Sequence, residues 1–144
     1  MSAADPTLQP TQITSFADLL RAARAQPEPQ RLLFVFAGAE LPEGASDEQR
    51  AQFNAGEGGE LAPLMCVDKA VDELPSFEAL AAEAARAGPP WAIVFVAAVS
   101  GRNGRPAGAD ETQATLQQMV DSVKSGRLAG LLPFNCRGEP VRLA

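Results

Sequence analysis

Residues 15–37 read SFADLLRAARAQPEPQRLLFVFA, and residues 76–98 read SFEALAAEAARAGPPWAIVFVAA. At a constant offset of 61 the two stretches align without a gap and share eight identities in 23 positions, the opening Ser-Phe and the Phe-Val pairs among them. Two further blocks follow in the same order: SDEQ from Ser46 faces ADET from Ala109, and LAPLMC ending at Cys66 faces LLPFNC ending at Cys136. With the helical and apolar parts of the first stretch counted separately, four similar blocks in one order indicate a duplicated unit. Each half is too small to cover a sheet of its own, so the two halves are expected to share one core.

The blocks translate into elements. Phe16, Leu19, Leu20 and Ala23 recur at helical spacing, as do Phe77, Leu80, Ala81 and Ala84. Ser15 with Asp18 resembles a capping box, and Pro29 and Pro90 close the two segments. The apolar runs RLLFVFA and AIVFVAA suit strands buried on both faces. Ser46-x-x-Gln49 predicts a short helix ending near Gly56, and Asp110-x-x-Gln113 a longer one stopped by Gly126. Strands over LAPLMCV and LAGLLPFNC follow, then a turn at Arg137-Gly138 and a short C-terminal strand over EPVRL. The expected fold class is α/β, with α+β as the other form: a duplicated helix–strand–helix–strand unit in one sheet, with at least some strands parallel. Residues 1–12 read as a loose lead-in, and residues 13–144 as a single domain with pseudo-repeats over about 13–74 and 75–144.

Composition narrows the chemistry. The chain holds 12 Lys and Arg against 18 Asp and Glu, a net charge of −6, which disfavours nucleic acid as a partner. It has no His and no Tyr, so a Ser-His-Asp triad, a Cys-His pair and the usual zinc shells are out of reach. No apolar run has the ~20 residues of a membrane span. The opening residues carry no secretory signal, and two cysteines are too few for a disulfide framework. A cytoplasmic protein without cofactor or metal is expected.

Two places remain for chemistry. The loop over residues 97–112 follows an expected buried strand and leads into a helix. Gly101, Gly104 and Gly108 would let backbone amides approach an anion, while Arg102 and Arg105 could grip a phosphate or carboxylate. GEGGEL from Gly56 is the matching loop of the first half and carries no cation. Cys66 and Cys136 are the candidate thiols. A Cys66–Cys136 pair on adjacent strands would suit redox chemistry, and Lys69 would favour a Cys66 thiolate if the two converged. Strand alternation instead puts Cys66 with Asp68 and sends Lys69 to the other face. Trp91 is expected in the core, with partner anchoring as its other role.

PLMCVDKAVDEL, PPWAIVFVAAVSGRNGR and the closing GEPVRL resemble short bacterial proteins labelled ribonucleotide reductase subunit alpha. That resemblance implies radical chemistry with a redox pair of cysteines and further cysteines for electron transfer. The chain has two cysteines in all and no room for that enzyme's barrel, so no catalytic residue carries over and the label reads as a mistaken transfer. The expected function is a non-catalytic interaction or regulatory module that meets a protein partner or a second copy of itself. The alternatives are a binder of a small anionic ligand at the 101–108 loop and a thiol-dependent enzyme. An interaction module should expose an apolar patch.

Overall fold

The structure, a computed structural model, describes residues 13–41, 43–55 and 60–142. The lead-in over 1–12 and the glycines of GEGG lie outside the described residues. The elements run α1 (Phe16–Arg24), β1 (Gln30–Glu40), α2 (Asp47–Asn54), β2 (Glu60–Ala70), a 3-10 turn (Val71–Glu73), α3 (Phe77–Ala87), β3 (Ile93–Ser100), α4 (Ala109–Ser125) and β4 (Leu132–Phe134). The helix–strand–helix–strand unit thus occurs twice in one sheet, as the repeat implies.

The strand order is β2-β1-β3-β4, and every neighbouring pair is antiparallel. The expectation of parallel pairing is therefore corrected. The connection from β1 to β2 contains α2, a helix with no buried residue, so it acts as an extended hairpin rather than a crossover. β2 and β3 do point the same way with α3 between them in sequence, but β1 lies between the two strands and runs against both.

Both faces of the sheet are covered. On one, Phe16, Leu19, Leu20 and Ala23 of α1 and Phe77, Leu80 and Ala84 of α3 pack on Leu32, Phe34 and Phe36. Phe16 is the hub, its ring centroid 5.2 Å from Phe77, 5.3 Å from Phe134 and 6.3 Å from Phe34. On the other, Leu116, Met119 and Val123 of α4 pack on Leu33, Val35, Phe95 and Val99. β1 is apolar throughout its centre because it is buried from both sides, with Leu32, Leu33, Phe34 and Val35 fully enclosed.

The helices start where hydroxyls supply caps. Ser15 accepts from the Asp18 amide, Ser76 from the Ala79 amide, and Ser46 with Gln49 forms a full reciprocal capping box. Asp18 does not close the expected box; its carboxylate accepts from the amide and hydroxyl of Thr14. At α4 the cap is Gly108, so Asp110 sits in the first turn, where it favours the helix dipole. Gly126 ends α4 in the left-handed region, φ +74°.

Pro63 lies on the edge strand β2 beside a bulge that leaves Leu64 without an opposite residue, and Pro133 lies on the other edge, β4. Proline tolerates edge positions and blunts them against further pairing. Past β4 the chain turns at Arg137-Gly138, with Gly138 at φ +76°, and returns along β4 through a Phe134–Pro140 bridge and a Val141 N–H to Pro133 carbonyl bond of 3.1 Å. Among the described residues no helix is long and apolar enough to cross a membrane.

Candidate functional site

The glycine and arginine loop is a tight hairpin. Arg102 and Arg105 exchange backbone bonds of 2.9 and 3.0 Å, and the two residues between them, Asn103 and Gly104, have φ of 54° and 77°. Two consecutive positive φ values define the type I′ turn that Asn-Gly favours. Gly101 is fixed by close approach: a Cβ there would lie 1.9 Å from the Arg105 carbonyl oxygen. Its own N–H donates to the Pro29 carbonyl at 2.8 Å.

The turn does present amides to an anion, and the anion is Glu28. Its carboxylate accepts from the Gly104 N–H at 2.8 Å and from the Asn103 N–H at 3.2 Å. Pro27 and Pro29 on either side stiffen the backbone that carries Glu28. Gln30 completes the strap by donating its side-chain amide to the Glu28 carbonyl and to Ser100 Oγ, at 3.1 and 3.0 Å. Arg102 turns toward Glu111 (3.6 Å) with its side chain 80% exposed, and Arg105 is exposed as well. Gly108 plays no part in the turn; it caps α4. An open cleft of about 790 Å³ adjoins the strap, walled by Arg24, Gln26, Glu28, Arg31, Asp72 and Gly104 among others. Sequence reasoning missed Glu28. Its one local signal is a carboxylate set between two prolines at the head of a buried strand.

The two cysteines are free and exposed. Cys66 lies in mid-strand on β2, opposite Val35, while Cys136 follows β4. β2 and β4 are opposite edges of the sheet rather than neighbours, which corrects the redox-pair idea. Three strand spacings separate those edges, ~14 Å, against a limit of ~7 Å between the Cα atoms of a disulfide. Lys69 does face away from Cys66, as alternation implies: its ammonium binds Glu83 of α3 at 2.7 Å, whereas Asp68 pairs with Arg31.

A second concave place lies where β3 begins. An open groove of about 380 Å³ is lined by Ala81, Ala85, Gly88, Pro89, Pro90, Trp91 and Cys136. Trp91 is half-buried, its ring centroid 5.0 Å from Phe36 and 6.4 Å from Phe77, so its expected core contacts are present while part of it lines the groove. Gly88 lets this linker close onto β2, since a Cβ there would meet Met65 Sδ at 2.6 Å. The Cys136 thiol donates to the Trp91 carbonyl at 3.1 Å and ties the C-terminal turn to the same wall. Next in sequence to the lining residues Cys136 and Ala85, Arg137 is paired with Glu139, and the exposed Arg86 makes no ion pair among the described residues.

Among the described residues two carboxylates stand below the ordinary range, and both reach the surface. Asp18 is lowered by the Thr14 hydroxyl and amide and by Arg21, and Glu139 by the Asn135 side-chain amide and Arg137. Neither lies in the cleft or the groove. Among the described residues no three Cys, Asp or Glu side chains group as a metal site. No family model, curated protein or solved structure matches the chain.

Proposed function

We propose that this protein is a non-catalytic interaction module that receives an apolar segment of a partner protein, flanked by a carboxylate, in the groove beside Trp91. The groove carries this reading: its lining is alanine, glycine, proline, tryptophan and one thiol, and it is open to solvent. Small side chains at Ala81, Ala85 and Gly88 leave room for a partner's side chain, and a rigid, partly desolvated Trp is a favoured anchor at interfaces. Arg86, one residue beyond Ala85, supplies the charge that selects a carboxylate and speeds encounter.

The same surface serves self-association if the incoming segment belongs to a second copy. A small-anion binder at the 101–108 loop would have to displace Glu28 from the Asn103 and Gly104 amides, which weighs against that reading. Ribonucleotide reduction and other dithiol chemistry would need cysteines within bonding reach of each other, which the strand order disfavours. A cytoplasmic setting accords with two unpaired, exposed thiols.

The test is a photo-crosslinking amino acid placed at Ala85, with a second at Ala17 on the exposed side of α1 as reference. A discrete adduct at position 85 that disappears on Ala81→Arg and weakens on Arg86→Glu is expected in cells that natively make the protein. Equal adduct patterns at positions 85 and 17, or none at 85, would sink the interaction reading.

A further inference from the structure

We propose that Glu28 guards the Asn103-Gly104 bond against deamidation, and that Asn103 is a latent modification site whose reaction unlatches the strap over residues 26–30. Asn103 is exposed, and its successor has no side chain to shield the backbone nitrogen; nothing lies within 4 Å of where a Gly104 Cβ would be. Those are the conditions under which an asparagine amide is attacked by the next residue's backbone nitrogen.

In that reaction the Gly104 nitrogen forms a bond to Asn103 Cγ, and the side-chain nitrogen leaves as ammonia. Solvent takes the proton of the Gly104 amide and returns one to the departing nitrogen, and a cyclic imide remains. Water then opens the ring at either carbonyl, giving aspartate or its isomer with the chain running through the side-chain carboxyl. No electrons are exchanged, and water is the only co-reactant.

The native contacts oppose the first step in two ways. The Gly104 N–H is donated to Glu28 Oε1 at 2.8 Å, so removing its proton would place a negative nitrogen against a full carboxylate charge. Ring closure also requires the Asn103 backbone to rotate until Cγ faces the Gly104 nitrogen. That rotation is resisted by the Glu28 bond to the Asn103 amide and by the paired Arg102 and Arg105 bonds that hold Asn103 at φ 54°. A carboxylate is far too weak a base to offset this by taking the amide proton itself. Once formed, the isomer runs the chain through one extra carbon between the two amides that Glu28 holds, so they no longer meet its carboxylate together, and either product adds a like charge to the same turn.

The experiment incubates the full chain at neutral pH as wild type, Glu28→Ala and Glu28→Gln, and follows conversion at each asparagine by peptide mass mapping. Asn54 and Asn135 serve as internal clocks. Glu28→Ala is expected to convert Asn103 at least about tenfold faster than wild type, the factor corresponding to one charge-assisted hydrogen bond, with Glu28→Gln between them and the two clocks unchanged. Glu28→Gln keeps the side-chain shape and reads out the charge alone if Glu28→Ala does not fold. Equal rates in wild type and both variants overturn the proposal. So does slower conversion in either variant, which would make Glu28 a promoter of the reaction.

Discussion

Gly101, Gly104 and Gly108 look alike in the sequence, yet the structure requires glycine at the first for close approach, at the second for its backbone angle, and at the third not at all. Gly101→Ala would drive a Cβ to 1.9 Å from the Arg105 oxygen and 2.9 Å from its carbonyl carbon, both backbone atoms that cannot step aside. The hairpin must open, endangering the two Arg102–Arg105 bonds and the Gly101 N–H to Pro29 bond. At about 1 kcal/mol for each bond the cost is about 3 kcal/mol, a fall in Tm of about 10 °C for a chain of this size. Gly104 has open space around it but φ of 77°, so Gly104→Ala costs about 1 kcal/mol from the left-handed backbone alone. Gly108 has φ −71° and ψ 162°, close to the −73° and 167° of the Ser46 cap, and nothing within 4 Å. Gly108→Ser therefore adds a capping oxygen and gains about 0.3 kcal/mol. Urea titrations followed by circular dichroism, with m-values compared to confirm an unchanged transition, measure all three. Similar losses at the three positions would refute the reasoning, since they would mean that general loop flexibility, not these specific contacts, is what glycine supplies.

Both thiols should react fully with a thiol reagent in the native protein, and oxidant should produce no intramolecular disulfide; a Cys66–Cys136 bond found by non-reducing mass analysis would contradict the strand order. Acid should act at Asp18 and Glu139: their folded values are lowered, so the stability they add is present above the unfolded carboxylate range and is lost as pH falls through the folded values. Glu139 is exposed and Asp18 only partly covered, so solvent screening keeps the loss small and local to the start of α1 and the 135–139 turn. Carboxyl carbon NMR titrations with midpoints at or above the ordinary range would count against the Thr14 and Asn135 contacts.

What was legible in the sequence was local. Phe16, Leu19, Leu20 and Ala23 announce a helix because the period and the cap lie within ten residues, and β1 and β3 announce themselves as short apolar runs. Strand direction was not legible, because a run buried on both faces reads the same whichever way its neighbours point. The 101–108 loop was legible as amides turned toward an anion. The anion was not, because Glu28 reaches those amides across 75 and 76 positions of sequence. Trp91 was legible as a core residue. Its groove also depends on Cys136, 45 positions away, and on the fit of Gly88 against Met65.

The repeat itself carries a correction that parity explains. Helices α1 and α3 match residue for residue at the offset of 61 and lie on the same face of the sheet. The β1–β3 register sets Phe34 opposite Val96 and Val35 opposite Phe95, so, with side chains alternating faces along each strand, residues matched at an offset of 61 fall on opposite sides. Phe34 accordingly faces α1 and α3 while Phe95 faces α4, although the Phe-Val pairs helped to reveal the repeat. Shifting by one residue restores common faces, pairing Leu32 with Val94 and Leu33 with Phe95. Phe34 and Val96, opposite each other in the β1–β3 ladder, then become each other's mate, and a pseudo-two-fold passes between them. That axis relates the two helix-to-strand linkers, residues 25–29 and 88–92. The first holds Glu28 and became the strap; the second holds Pro89, Pro90 and Trp91 and became the groove wall. Because β1 and β3 run in opposite directions, the two linkers sit at opposite ends of the sheet. The halves have thus diverged in these linkers as well as in α2 and α4, of 8 and 17 residues, and in β2 and β4, of 11 and 3, while α1 and α3 keep the shared pattern.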